Sequence, residues 1–191
     1  MVSLHINQDG IVQEALWVSS PNYDERPVCG TENALSDISD ISLIVVHNIS
    51  LPPNEYGGNG IIELFTNTLN PDAHPYYAEI YLRKVSAHFL IRRDGQLLQF
   101  VSCLKRAWHA GISHFQGRER CNDFSVGIEL EGSDFEPFTL AQYAKLNALI
   151  ATLKNTYAIL NIVGHSDIAP GRKTDPGPFF DWEKLNVTAS E

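Results

Sequence analysis

Ile41-Ser42-Leu43-Ile44-Val45-Val46-His47 is a nearly continuous apolar run, rich in β-branched side chains, that stops at a histidine. Strands covered on both faces read this way, whereas a half-solvated strand alternates polar and apolar positions. The run therefore predicts a buried central strand over 41–46, ending at His47. Working outward, 123–130 and Asn161-Ile162-Val163-Gly164 predict two further strands. Residues 86–92 and 96–102 flank Arg93-Asp94-Gly95, and Asp-Gly between two strand-like runs signals a hairpin. Thr139 predicts a helix N-cap. Behind it Tyr143, Leu146, Ile150, Leu153 and Tyr157 step by three or four, as one buried helical stripe should. Asn59 is placed to cap a short helix burying Ile61, Ile62, Phe65 and Leu69, and Asp181 a last one through Trp182 and Leu185. The first forty residues, with turn formers at Ser20-Pro21-Asn22 and Cys29-Gly30, read as an irregular lead-in. The expected fold is α/β: a single domain with a central mixed β-sheet flanked by helices.

Bulk composition narrows the function. A chain of 191 residues supports one domain with a full core. Its net charge of −9 excludes a large basic footprint, so neither nucleic acid nor a membrane surface is an expected partner. No stretch approaches the roughly 20 apolar residues of a membrane span. Residues 1–10 lack a signal-peptide pattern. The cysteines, Cys29, Cys103 and Cys121, are odd in number and widely spread. They do not read as a disulfide framework, and a reducing cytoplasm is expected.

Chemistry concentrates in Gly164-His165-Ser166-Asp167-Ile168-Ala169-Pro170-Gly171-Arg172-Lys173-Thr174-Asp175-Pro176-Gly177-Pro178. A Pro/Gly-stiffened loop cannot form a core, and loops on a rigid scaffold are where sites gather. Asp175 precedes a proline and is biased toward extended backbone. Residues two apart in such a stretch share a side, so Lys173 and Asp175 are expected to face one site. With His47 and His165, Asp175 offers two imidazoles and a carboxylate, which leave an open position on a tetrahedral zinc. The competing reading makes His47 a hydrogen-bonded strand residue, His165 a turn residue and Asp175 a loop cap.

In Val126-Gly127-Ile128-Glu129-Leu130-Glu131, alternation puts Gly127, Glu129 and Glu131 on one face. A carboxylate there can have a raised pKa and act as a general base. Gly127 leaves space beside it, as an approaching ligand would need. Pattern alone does not choose between Glu129 and Glu131, and a solvent-facing strand surface reads equally well. Arg118 and Arg120 can grip a carboxylate or simply be solvated. Trp108 can wall a cleft or belong to the core.

Taken together, Val45-Val46-His47-Asn48-Ile49-Ser50-Leu51-Pro52-Pro53, Val85-Ser86-Ala87-His88, Arg106-Ala107-Trp108-His109-Ala110-Gly111, 117–125, 127–132 and 164–178 resemble one family, in the same order throughout. It is the zinc-dependent 1,6-anhydro-N-acetylmuramyl-L-alanine amidases, cytoplasmic enzymes related in fold to peptidoglycan-recognition proteins. The resemblance runs from about Trp17 to Trp182. It implies a catalytic domain over 17–191 and leaves 1–16 as an extension of unknown role. It implies that His47, His165 and Asp175 hold Zn2+, that Glu129 and not Glu131 is the catalytic carboxylate, and that Lys173 stabilises the tetrahedral intermediate. It further implies that Asn48, His88, Trp108 and Arg120 contact the substrate, with 54–81 on the substrate side. A loose match puts a substrate-binding cation at Arg83-Lys84. The implied enzyme is a monomer that hydrolyses the lactyl-L-alanine amide of a small anhydromuropeptide during cell-wall recycling.

Three rivals are distinguishable. A non-cutting peptidoglycan-binding module would lack one of the zinc or catalytic positions, and all are present. A cysteine hydrolase built on Cys121 would need a lowered thiol pKa. An extracytoplasmic wall-lytic amidase would act on intact peptidoglycan.

Overall fold

The computed structural model describes residues 3–27 and 40–186. Cys29 and the Cys29-Gly30 turn expected from the sequence lie outside them. Two short strands open the fold, β1 (Leu16–Trp17) and β2 (Tyr23–Glu25), followed by β3 (Leu43–Ile49). Two short helices, α1 (Gly60–Phe65) and α2 (Pro75–Ile80), precede β4 (Phe89–Ile91), β5 (Leu97–Gln99) and β6 (Lys105–Ala107). A small ribbon, β7 (His114–Phe115) and β8 (Arg118–Glu119), leads into β9 (Ser125–Glu131). The chain ends with α3 (Leu140–Thr156), β10 (Asn161–Gly164), α4 (His165–Ile168) and a 3-10 turn over Trp182–Lys184.

Six strands form one mixed sheet in the order β1-β5-β4-β9-β3-β10. The stretch from β4 through β9 and β3 to β10 is parallel, and β5 turns back antiparallel on β4 through the Asp94-Gly95 hairpin. Strand β3 sits between β9 and β10, so both its edges are hydrogen-bonded, as its apolar run required. Ladder pairing carries β3 on to Ile49, so His47 lies within the strand, two residues before its end.

Alternation along β3 and β9 divides the protein. Ile44, Val46, Val126, Ile128 and Leu130 pack against Tyr143, Leu146, Leu149, Ile150 and Leu153 of α3 in the main core. The N-terminus of α3 carries a reciprocal capping box. Thr139 Oγ1 accepts from Gln142 N, and Gln142 Oε1 accepts from Thr139 N. The opposite face takes Leu43, Val45 and His47 from β3, and Gly127, Glu129 and Glu131 from β9. On that side α1 and α2 cover one end of the sheet with Ile61, Leu64, Phe65, Tyr77 and Ile80. At α1, Asn59 occupies the N-cap position but makes no side-chain cap bond.

Helix α2 is absent from the sequence reading. Pro75 at its first position and His74 Nδ1, which accepts from Tyr76 N at 3.1 Å, define its start. The described part of the lead-in, irregular apart from β1 and β2, is packed against the domain. Leu4 and Val12 join the α3-side core, and Gln99 Nε2 and Oε1 bond Gly10 O and Val12 N. Arg26 donates to the carbonyls of Cys103, Asn122, Asp123 and Ser125, tying the lead-in to the sheet. No helix among the described residues is long and apolar enough to cross a membrane.

Candidate active site

The polar side chains on the α1/α2 side of β3 and β9 line a cavity of about 340 Å³. His47 and Glu129 are register partners on adjacent parallel strands, so both reach it side by side. His165 comes from the first turn of α4, immediately after β10, the other neighbour of β3. Asp175 returns from the stiff loop, held by Ser166 N donating to Asp175 O at 2.9 Å. The first turn of that stretch is helical, so His165 stands on an element and not on a loop.

Three donor atoms converge. His47 Nδ1 lies 2.9 Å from His165 Nδ1, and each lies 3.0 Å from Asp175 Oδ2. Protonation at the far side of each ring explains what these atoms can do. His165 Nε2 is 3.0 Å from the carbonyl of Ala110, which only accepts, so Nε2 carries the proton and a neutral ring presents a bare Nδ1. His47 Nε2 lies 2.9 Å from His109 Nδ1, which serves the same purpose. Two nitrogen lone pairs and a carboxylate oxygen then point at one spot, an arrangement that a cation relieves. The N, N, O donor set beside an open cavity suits a catalytic zinc better than magnesium or calcium, which favour all-oxygen cages.

The electrostatics agree. Burial lowers the His47 imidazole to about 4 against the pull of Asp175, so the ring is neutral near pH 7. Glu129 goes the other way. Burial, reinforced by the charge of Asp175, raises its carboxyl well above the ordinary range, while Lys173 pulls it down. Its Oε2 is buried with no hydrogen-bond partner among the described residues. Lys173 and Asp175 line the same cavity, as their spacing predicted.

Glu131, two residues on, is a different kind of carboxylate. Arg92 donates to its Oε1 at 3.0 Å, and Gly57 N and Arg93 N donate at 2.8 and 3.1 Å. Each oxygen of Glu131 is thus engaged by protein, and only Glu129 has an oxygen free for a substrate or water. Neither faces bulk solvent; both are buried.

The four expected substrate contacts divide. Trp108 lines the cavity, its indole fixed by Nε1 donating to Asp24 Oδ1 at 3.2 Å. Asn48 also lines it, but its amide is committed to Asp134 Oδ1 at 2.7 Å and Pro176 O at 3.1 Å, so it braces the Asp175 loop. His88 does not reach the cavity. It is fully buried, with Nδ1 accepting from Gly127 N and Nε2 donating to Lys105 O. Arg26 lies 3.2 Å from that Nε2. Burial and this guanidinium lower the His88 ring to about 3. Arg120 is exposed, pairs with Asp123 and is not among the residues lining the cavity. Of the loosely matched pair, Arg83 lines the cavity. Arg118 pairs with Asp40 and lies over the Phe124 ring. Cys121 is buried away from the cavity, and burial raises its thiol, which removes the cysteine-hydrolase rival.

One expectation changes on contact with the structure. The space over Gly127 is filled by protein, because a Cβ there would lie 2.6 Å from His109 Nδ1 and 2.7 Å from its Cδ2. The glycine makes room for an imidazole and not for a ligand. The sequence gives His109 no role separate from the segment that walls a cleft. Only its place in Trp108-His109-Ala110-Gly111 marked it, and pairing with a residue 62 positions away is invisible to local pattern.

Comparison with known proteins places the chain in a family. The N-acetylmuramoyl-L-alanine amidase family matches residues 37–178. The 1,6-anhydro-N-acetylmuramyl-L-alanine amidase AmpD of Salmonella typhimurium (strain SL1344) is 56% identical over 180 residues, 93% of this chain and 91% of that protein. A crystal structure of a selenomethionine AmpD derivative superposes with a TM-score of 0.86 at 54% identity, covering 97% of each chain. Escherichia coli AmiD, solved with the substrate anhydro-N-acetylmuramic acid-L-Ala-D-γ-Glu-L-Lys, gives a TM-score of 0.58 at 31% identity, over 82% of this chain and 59% of that one.

Proposed function

The chain belongs to the N-acetylmuramoyl-L-alanine amidase family, and we propose that it hydrolyses the amide joining the lactyl group of 1,6-anhydro-N-acetylmuramic acid to L-alanine, releasing the peptide in cell-wall recycling. The observation that carries this reading is the convergence of two imidazole nitrogens and one carboxylate oxygen beside an unpartnered, buried glutamate in one cavity. The substrate class follows from the relatives: AmpD is named for this amide, and AmiD was solved with an anhydromuropeptide.

In this reading His47, His165 and Asp175 hold Zn2+. When bound, zinc supplies a Lewis acid for the scissile carbonyl and the attacking water. Glu129 takes a proton from the water as the C–O bond forms and delivers it to the alanine nitrogen as the C–N bond breaks. The upward shift makes the Glu129 carboxylate a stronger base toward the proton of the water. Lys173, facing the same cavity, offsets negative charge on the carbonyl oxygen, an effect typically of a few kcal/mol per donor. Trp108 walls the cavity, and Asn48 acts by holding the Asp175 loop and not by gripping the sugar.

The reading includes action in the cytoplasm, as a monomer, on a small diffusible muropeptide. Among the described residues, Cys103 and Cys121 are buried free thiols, which fits a reducing compartment. The test is incubation of purified protein with anhydromuramyl-tripeptide followed by mass spectrometry. Free tripeptide and anhydromuramic acid are expected. Intact substrate, or cleavage within the peptide, would overturn the proposal.

A further inference from the structure

We infer that His109 is a positioning residue for the metal site: it accepts the Nε2 proton of His47, and its other ring nitrogen is anchored on Ser125. The inference rests on the reading of His47 as a metal ligand. An imidazole that coordinates through Nδ1 must keep its proton on Nε2, and that proton needs an acceptor to fix tautomer and ring plane. His109 Nδ1 stands 2.9 Å from His47 Nε2, with the two rings edge-on at 85°. His109 Nε2 is 3.1 Å from Ser125 Oγ, so the ring is held from both ends.

Sequence and fold are arranged around this ring. Ser125, Gly127 and Glu129 occupy successive same-face positions of β9. Ser125 anchors the imidazole, Gly127 leaves the space it fills, and Glu129 stands at the cavity. The neighbouring residue serves the second histidine, because Ala110 O accepts from His165 Nε2. One side chain fixes both steps: Asn122 Oδ1 accepts from the backbone N–H of His109 at 3.2 Å and of Ala110 at 2.9 Å. A single dipeptide thus supplies the outer partner of each histidine ligand, one through a side chain and one through a carbonyl.

The test is zinc affinity, measured on the full-length protein by competition with a chromophoric chelator. His109→Leu should weaken zinc binding about 10- to 100-fold, the usual cost of removing an outer-shell partner. His109→Asn should stay within about threefold of the parent, because its Oδ1 takes the place of Nδ1 as acceptor. His109→Gln puts its acceptor near the Nε2 position, away from His47, and should behave like the leucine variant. The Asn and Gln pair keeps the test decisive if the leucine protein does not fold. Unfolding midpoints of the zinc-free variants separate a merely structural role, which would lower stability without rescue by Asn. Parent-like zinc affinity in both His109→Leu and His109→Gln, or an Asn variant as weak as Gln, would overturn this inference alone. A parent protein with no zinc affinity would overturn it together with the metal reading on which it rests.

Discussion

Glu129 and Glu131 share a strand, a face and a chemistry, yet their removal should have opposite consequences. Glu131 is 1% exposed, and its Oε1 takes Arg92 Nη1 at 3.0 Å and Gly57 N at 2.8 Å, while Oε2 takes Arg93 N at 3.1 Å. Glu131→Ala leaves a buried guanidinium with Gly58 O as its one hydrogen-bond partner among the described residues, together with two unsatisfied backbone N–H groups. Breaking a buried ion pair by removing one partner costs about 3–5 kcal/mol. The orphaned donors belong to that same loss and are not added to it. For a domain of this size, 1 kcal/mol moves Tm by about 2–4 °C, so a fall of about 6–20 °C is expected. Glu131→Gln keeps an acceptor and should lose about 1–2 kcal/mol. Glu129 gives up almost nothing structurally, because its Oε2 has no partner to lose. Glu129→Gln should stay within about 1 kcal/mol of the parent and bind zinc normally, while turnover falls about 10²- to 10⁴-fold. Urea unfolding and muropeptide hydrolysis on the same preparations give both readouts. A Glu129→Gln protein destabilised as much as Glu131→Ala, or a fully stable Glu131→Gln protein without activity, would refute the division of labour.

Other perturbations test neighbouring parts of the account. Lys173→Ala should lower kcat by about 10- to 10³-fold with KM little changed, since the lysine acts on charge that develops during reaction. If only KM rises, Lys173 binds the ground state instead. The His88 ring is lowered to about 3 in the folded protein from an unfolded value of 6.5. The unfolded chain therefore takes up a proton that the folded chain refuses. Stability from this group is fully present above pH 6.5 and is lost toward pH 3 at up to about 1.4 kcal/mol per pH unit. His88→Asn should flatten the fall of urea-unfolding free energy between pH 6.5 and 4.5 by about that slope, and an unchanged slope would count against the buried neutral ring. Gly127→Ala drives a methyl into the His109 ring and should cost about 1–3 kcal/mol, with reduced zinc affinity measured by chelator competition. Parent-like stability and affinity in that variant would show that the ring is not confined.

The sheet was legible because its signals are local. Apolar runs at 41–46 and 161–164, alternation over 126–131, Asp94-Gly95, and the stripe behind Thr139 each reappear in the expected element. Helix α2 escaped because six residues beginning at Pro75 carry too little periodicity to stand out from a loop. The extension of β3 beyond His47 escaped for another reason, since Asn48 is polar and ladder pairing, Asn48 with Leu130 and Ile49 with Glu131, keeps the segment in the strand. At the site, the nature of His47, His165 and Asp175 as donors was readable, but their convergence depends on pairings across 118 and 128 positions. Glu129 and Glu131 looked alike until Arg92, Gly57 and Arg93 separated them. His88 and Gly127 show the limit of motif reading. Both lie near the reaction site, yet His88 supports the sheet beneath it and Gly127 makes room for His109.

The central claim is that one ion held by His47, His165 and Asp175 makes Glu129 competent to cleave a muramyl amide. It is tested most directly by hydrolysis of anhydromuramyl-tripeptide before chelation, after chelation and after adding back one equivalent of zinc. The account predicts that tripeptide release stops on chelation and returns with zinc, and that Asp175→Ala protein does not recover under the same addition. Continued release by metal-free protein, or full recovery of the Asp175→Ala variant, would contradict it.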